Sequence, residues 1–582
     1  MKPPFKMTTE CSNSSSARYR KKTAGILLRS HGKRLRPAYR DIAERRLRSL
    51  VKRLHKEKKL EEYDCAIQKY MSDGIAEQVR GKKTSDRLYY MPHRAVVREG
   101  STSTRVRVVF DASSHAAGCC SLNDCLETGP KINCDLLSTL LRFRLNNVAL
   151  VADIEKAFLQ VAVRGEDRDA LRFLWFEQPP TSSDCLPSIC EWRMTRVPFG
   201  TSASSFLLGA TVLHHLRNVS GPEQEVAQMM ADSFCIDDLL TGTDTAEEAK
   251  CIIKTATAIM RDACMPLKKW ASNCSEIQDH VDSTKSGVSQ HELIGDTEGD
   301  ETARVLGLTW DTRLDTLNFN GLNVLEALSQ VGDSKRSVLQ TVAKIFDPLG
   351  LAAPFAIKAK MVFQQLWQQG VGWDQPIPDR VKGDWDSWKA ELADLLNQCE
   401  STSVWDMCIL RCEDYDGNVQ CTLILSKARL APLKKLSLPR LELMGALIAA
   451  RTAKFVKHAL RMPSVPAYFW ADSSIALTWI KGRAARWKVF VCNRVTEIQA
   501  TSTADQWRHC PGKQNPADCL TRGMTIHALL RSSHWWEGPN WLKDGESQWP
   551  KFDAPSRTEE SDMEACSNSS QVMHVTLEKV DP

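Results

Sequence analysis

The sequence predicts a multidomain chain of mixed α+β and α/β class. At roughly 150 residues per domain, 582 residues make three to four domains. The composition, 42% hydrophobic and 25% charged, is that of ordinary globular chains and excludes wholesale disorder, collagen and coiled coil. Between residues 148 and 270, short apolar strands alternate with longer helical stretches, the mark of helices packed on a sheet.

The elements follow in order. Residues 1–17 are rich in Ser and Thr and are expected to be unstructured. From Arg18 to Lys59 there are 17 basic side chains against three acids, Asp41, Glu44 and Glu57. Such an arm is either the footprint of a polyanionic partner or a solvated tail. Inside it Ile42, Leu47, Leu50, Val51 and Leu54 recur at three- and four-residue steps, which predicts a helix over 40–59. Arg105-Val-Arg-Val-Val-Phe110 is β-branched and strand-like. Residues 282–302 read as a polar loop, and 321–400 as mostly helical, with Trp367, Trp373, Trp385 and Trp388 as core or surface anchors. A third body runs over 401–525, and the polar tail 550–582 is expected to be loose. No apolar run of about 18 residues predicts a membrane span. Met1 to Ser16 lacks a signal-peptide core. Twenty cysteines with no Cys-x-x-Cys pair read as reduced thiols of an intracellular protein rather than as zinc ligands.

Three acids stand out. Val148-Ala-Leu-Val-Ala-Asp153 is an apolar strand delivering a carboxylate at its end. Ser233-Phe-Cys-Ile-Asp237-Asp238-Leu-Leu-Thr-Gly242 sets two adjacent acids between apolar runs, the pattern of a β-hairpin with the acids at its turn. Neighbouring carboxylates repel unless a cation neutralises them. Hard divalent ions, Mg²⁺ above all, suit oxygen ligands of this kind, and three Asp from two strand ends can hold the two ions of phosphoryl transfer.

These segments resemble known motifs. Ala152-Asp153-Ile-Glu-Lys-Ala-Phe158 resembles motif A of reverse transcriptases. Val197-Pro198-Phe199-Gly200-Thr-Ser-Ala-Ser-Ser-Phe206 resembles motif B, and Phe234-Cys235-Ile236-Asp237-Asp238 is a variant of the Tyr-x-Asp-Asp motif C. More narrowly, residues 45 to 545 resemble the polymerase region of BEL/Pao-type LTR retrotransposons. Tyr90-Met-Pro-His93, Arg107-Val-Val-Phe-Asp111-Ala-Ser113, Ser121-Leu-Asn-Asp124, Leu267-Lys-Lys-Trp270 and Val305-Leu-Gly-Leu-Thr-Trp310 carry that resemblance. So do Ile345-Phe-Asp-Pro-Leu-Gly350 and Leu438-Pro-Arg-Leu-Glu442-Leu.

The resemblance implies an RNA-directed DNA polymerase with right-hand fingers and palm. Asp153 and Asp237, supported by Asp238, would bind two Mg²⁺ ions, with Mn²⁺ as the alternative. Phe158 would stand as a gate against the ribose 2′-hydroxyl, or else serve as core packing. Phe199 and Gly200 would begin the segment that approaches the template base, and Arg105 or Arg107 would contact the triphosphate. Lys268 or Lys269 would donate a proton to pyrophosphate, or simply be solvated. Leu306-Gly307-Leu308 resembles the primer grip.

Further on, Ala467-Tyr-Phe-Trp-Ala-Asp472-Ser473 and His509-Cys-Pro-Gly512-Lys-Gln-Asn515-Pro-Ala-Asp518 resemble parts of a retroelement RNase H. Glu442, Asp472 and Asp518 are three of its four acids, with His509 assisting product release. Against that resemblance, the first strand, which should carry the fourth, is expected to be replaced by a shortened segment in which Asp406 is the sole candidate. The RNase H-like domain is therefore expected to be incomplete and doubtful in activity. No Asp-[Ser/Thr]-Gly signature of an aspartic protease occurs, and proteolysis is not inferred from the Pao peptidase name associated with 321–400.

The expected organisation is a basic, partly disordered arm (1–62), fingers (63–147), palm (148–312), a helical thumb or connection (313–400), an RNase H-like domain (401–525) and a C-terminal segment with a loose tail (526–582). Expected partners are an RNA template, a DNA primer, the RNA–DNA hybrid, dNTPs and other polyprotein products, with no membrane. The expected compartment is a cytoplasmic particle, with the nucleus as alternative. The rival reading is a decayed or co-opted, non-catalytic nucleic-acid-binding protein derived from a retroelement.

Overall fold

The computed structural model describes residues 23–24, 39–81, 88–97, 106–132, 134–180, 186–279, 302–318, 332–398, 408–414, 416–427, 436–550 and 562–565. Its architecture is mixed α+β. The chain divides into two compact units: residues 1–306 with 310–315, and 307–309 with 316–582. Arg105, Asp406, most of the basic arm and the 282–301 loop lie outside the described residues.

In the first unit the helix Tyr39–Lys56 forms where the apolar spacing predicts it. Tyr39, Ala43, Leu47, Leu50, Val51 and Leu54 make its buried stripe, leaving most of its Lys and Arg on the solvent side. Asp41 in the first turn and Arg53, His55 and Lys56 in the last suit the helix dipole. The basic residues from Arg40 to Lys56 belong to this packed helix. With the helix Leu60–Ser72 it joins the core formed by the hairpin His93–Val97/Val106–Phe110 and by a sheet of Ala76–Gln78, Ile189–Met194 and Arg172–Phe176.

His93 lies inside that core. The Tyr63 hydroxyl donates to its Nδ1 (2.7 Å), and its Nε2–H donates to the Leu174 carbonyl (2.9 Å). A carbonyl only accepts, so the proton sits on Nε2. Burial pushes the imidazole down to about 4 and keeps it neutral.

A second, four-stranded sheet has the order Leu267–Ser272, Val148–Ile154, Asp238–Thr243, Phe234–Cys235, antiparallel throughout. Val148 and Leu150 pack against Ala249 and Ile253 of the helix Ala246–Asp262. Side chains alternate along a strand, so Asp153 projects from the opposite face.

In the second unit three helices, Lys335–Lys344, Ala353–Gln368 and Asp379–Gln398, precede a hairpin of Cys408–Glu413 and Val419–Leu425. The long helix Leu438–Ala459 and two parallel strands, Phe469–Ala471 and Trp507–His509, follow. Trp385 and Trp388 are stacked and buried, whereas Trp367 and Trp373 are exposed.

The Phe346-Asp-Pro-Leu-Gly350 loop ties these parts together. The Leu351 and Ala352 amides donate to the Asp347 carboxylate (2.6 and 2.9 Å), satisfying N–H groups at the start of the helix Ala353–Gln368. The Ser426 amide, just past the hairpin, donates to the Leu349 carbonyl (2.8 Å). Gly350 has φ 78°, and a Cβ there would lie 2.3 Å from the Ser426 carbonyl oxygen. Among the described residues, the helical stretch and the hairpin that follows it are thus packed together through Leu349, Gly350 and Ser426.

The expectation of a loose tail needs correcting at Asp562–Ala565. Arg440 grips Glu564 through both guanidinium nitrogens (2.7 and 3.0 Å), Arg486 pairs with Asp562 (2.6 Å), and the Lys488 amide donates to the Glu564 carbonyl. Bidentate pairing of this kind fixes both partners. Composition alone hides it, because the segment is polar.

Candidate active site

The hairpin at Cys235–Asp238 is as tight as the sequence suggests. Cys235 pairs with Asp238 across a two-residue turn of Ile236 and Asp237. Ile236 has φ 63°, a left-handed conformation that β-branched residues strongly avoid. Asp237 lies in the turn, and Asp238 opens the next strand.

Asp238 is the direct cross-strand partner of Asp153, and the Ile154 amide donates to the Asp237 carbonyl (3.0 Å). All three acids therefore gather at one end of the sheet. Burial, then the charges of Asp237 and Asp153, push the Asp238 carboxyl up to about 7. Burial, followed by the Asp153 charge, also raises Asp237. Burial beside these acids pushes the Cys235 thiol up to about 11, so it stays protonated at neutral pH.

A cation already faces the cluster. Lys269 Nζ lies 2.6 Å from Asp153 Oδ2. Asp153 Oδ1 is buried and accepts no hydrogen bond. Among the described residues, no group of three His, Cys, Asp or Glu side chains is preassembled around one ion position.

Phe158 is buried on the short helix Ala157–Gln160, five residues beyond Asp153. Its ring meets that of exposed Phe199 edge-on, 4.7 Å between centroids. Gly200 has φ 102°, and a Cβ there would lie 2.1 Å from the Phe110 carbonyl oxygen. Glycine is demanded here by the close approach of the chain's own backbone at Phe110. Arg107 is exposed on the strand Val106–Phe110.

Asn123, given no role in the sequence reading, holds this region together. Its Nδ2 donates to the Gly200 carbonyl (3.1 Å) and to Ser113 Oγ (2.8 Å), and its Oδ1 accepts from the Ser202 amide (2.8 Å). Asp111 pairs with Arg46 (2.6 Å), and its amide donates to the Pro92 carbonyl (2.7 Å). The segments around Pro92, Asp111–Ser113, Asn123 and Gly200 are therefore one interlocked loop cluster. Val305 and Leu308 flank a turn in which Leu306 (φ 48°) and Gly307 (φ 95°) are both left-handed.

The second acid set also gathers. Burial, and then the Asp472 charge, raise Glu442 on the helix Leu438–Ala459; a hydrogen bond from Ser473 opposes the rise. Cys510 is pushed up to about 12 by burial and by Asp472 and Asp518. His509 ends the strand Trp507–His509, and Asp518 begins the helix Asp518–Arg522. Among the described residues, the hairpin Cys408–Glu413/Val419–Leu425 and the pair Phe469–Ala471/Trp507–His509 form separate two-stranded sheets.

Residues 334–400 and 401–473 match the family described as the Pao retrotransposon-like RNaseH-like domain. This segment is similar to that family. It bears out the BEL/Pao resemblance over about a quarter of the chain and spans the packed body joined at Gly350 and Ser426.

A search of curated proteins found no match. Similar solved structures include the foamy viral protease-reverse transcriptase dRH with ds DNA (14% identity, TM-score 0.45, 70% of this chain and 62% of that one). Others are the foamy viral protease-reverse transcriptase with an RNA/DNA hybrid (14%, 0.48, 78% and 53%) and with dsDNA (14%, 0.47, 77% and 82%). The chain spans 62% and 53% of the lengths of the first two. No helix among the described residues is long and apolar enough to cross a membrane.

Proposed function

We propose that the chain is the RNA-directed DNA polymerase of a BEL/Pao-like retroelement, joining deoxynucleotides to a primer 3′-hydroxyl on an RNA template. The observation that carries this reading is the direct pairing of Asp153 with Asp238, with Asp237 in the adjoining turn. Like charges set opposite each other cost stability, so the arrangement calls for a cation. The residues fit one: all donors are carboxylate oxygens, and the buried Asp153 Oδ1 has no protein partner.

Asp153, Asp237 and Asp238 would hold two Mg²⁺ ions or their Mn²⁺ equivalents. When bound, these would lower the pKa of the primer hydroxyl and neutralise the triphosphate and departing pyrophosphate. The strand pairing supplies the rest, holding the carboxylates in place before substrate arrives. Phe158, wedged against Phe199, would exclude a 2′-hydroxyl. Arg105 or Arg107 would meet the triphosphate, and the 39–56 helix offers basic side chains to template phosphates. In this reading the first unit supplies fingers and palm, and the Lys335–Gln398 helices a thumb or connection.

The RNase H-like half would be catalytically silent, because Glu442, Asp472 and Asp518 are three of the four acids that two-metal hydrolysis would need, and among the described residues no strand joins the two small sheets. Primer extension on poly(rA)·oligo(dT) with the purified chain and Mg²⁺ tests the proposal. Processive addition of dTMP supports it. A chain that binds the duplex without extending it favours the non-catalytic, co-opted reading.

A further inference from the structure

We propose that Lys269 is a displaceable placeholder for the divalent cation at Asp153, so that cation entry requires this ammonium to leave. The inference rests on the cation-binding reading above and adds what governs occupancy of the site.

The backbone is bent to aim Lys269. Along the strand Leu267–Ser272, Lys268 pairs with Asp153 and Ala271 pairs with Val151. Two residues, Lys269 and Trp270, therefore oppose the single Ala152, which is a β-bulge. Lys269 takes φ 53° in it. Bulges with a left-handed residue favour glycine, because a side chain there is strained. A lysine in that place carries strain a glycine would not, and its ammonium ends 2.6 Å from Asp153 Oδ2.

The contact is suited to exchange. The Lys269 side chain is 63% exposed and that of Asp153 is 29% exposed. A flexible four-carbon stem can carry the ammonium into water. An ion pair this open contributes little, on the order of fivefold in an equilibrium constant at most. A divalent ion on the same carboxylate would repel the ammonium at short range. Until such an ion arrives, Lys269 is the cation that offsets the charge of the cluster, and it opposes the upward shift of both Asp237 and Asp238. Lys268, also exposed, meets Asp153 through backbone pairing and serves as a matched control.

The test is Mn²⁺ binding to the full chain without nucleic acid, read by electron paramagnetic resonance at about pH 8.5, where carboxylates are ionised. Lys269→Met should bind Mn²⁺ about threefold more tightly or better, consistent with an open ion pair. Lys269→Arg, which keeps a cation in place, and Lys268→Met should stay within about twofold of wild type. Unchanged or weaker binding in Lys269→Met overturns the proposal, as does equal tightening in Lys268→Met, which would make the effect one of general charge. Asp237→Asn separates the two layers. If wild type takes up Mn²⁺ and Asp237→Asn does not, the site exists, and the Lys269 result alone judges the placeholder. If wild type takes up none, or if Asp237→Asn binds as well as wild type, both readings fall.

Discussion

Asp153 and Asp238 face each other directly across two antiparallel strands, one residue from the turn that carries Asp237. Because burial and its acidic neighbours raise the Asp238 carboxyl to about 7, folding and protonation are linked. The folded pKa lies above the ordinary value of 3.8. The contribution of this group to stability is therefore fully present at low pH and is lost as pH rises through about 7. In cation-free buffer, wild type should lose stability relative to Asp238→Asn between about pH 4 and pH 8. Urea midpoints of the two proteins across that range provide the check, and parallel curves would contradict the coupling.

Gly200 should be the least replaceable residue of the loop cluster. A Cβ there meets the Phe110 carbonyl oxygen at 2.1 Å, and the backbone is left-handed as well. Gly200→Ala should cost more than about 3 kcal/mol, the range of severe backbone and packing defects. Asn123→Ala removes hydrogen bonds near solvent and should cost about 1 kcal/mol. Chemical denaturation distinguishes the two, and equal costs would mean that the strand end moves aside.

Phe158→Val should relax sugar selection. If the ring excludes the 2′-hydroxyl, ribonucleotide incorporation relative to deoxynucleotide should rise at least ~10-fold, about 1.4 kcal/mol at the transition state. Phe158 is also core, so melting curves must accompany the kinetics. An unchanged ratio in a folded variant would leave Phe158 as packing alone.

The RNase H-like half should not cleave the RNA strand of a labelled RNA–DNA hybrid, and Asp472→Asn should change nothing. Two-metal hydrolysis needs carboxylates on both sides of the scissile phosphate; Glu442, Asp472 and Asp518 are three of the four acids expected, and the remaining candidate, Asp406, lies outside the described residues. Cleavage by wild type that vanishes in Asp472→Asn would point to Asp406 as the missing ligand.

Much of the site was legible because it is local. An apolar strand ending in Asp153 and an Asp-Asp turn between apolar runs each specify their own geometry, and the register brings them together. The 39–56 helix was legible for the same reason: its apolar residues keep a three- and four-residue step. Long-range contacts left no such trace. Nothing in the sequence says that Gly200 abuts Phe110, that Asn123 bridges Ser113 and Gly200, or that Arg440 anchors Glu564. Each depends on chain segments far apart in sequence, and nothing in either segment alone names its partner. The bulge that turns Lys269 toward Asp153 was equally hidden, since an extra residue in a strand changes no composition.

The most direct test of the central claim compares wild type with Asp153→Asn and Asp237→Asn in two assays on the same RNA–DNA primer-template: extension with dNTPs and Mg²⁺, and binding by mobility shift. Removing one carboxylate takes away preorganised charge at the reacting phosphate, a loss of ~10³-fold or more in rate. In the proposed reading, duplex affinity comes mainly from phosphate contacts made by other, basic side chains. The expected result is extension abolished in both variants with duplex affinity within a few-fold of wild type, that is, less than about 1 kcal/mol. Variants that extend the primer as fast as wild type would contradict the assignment of these acids.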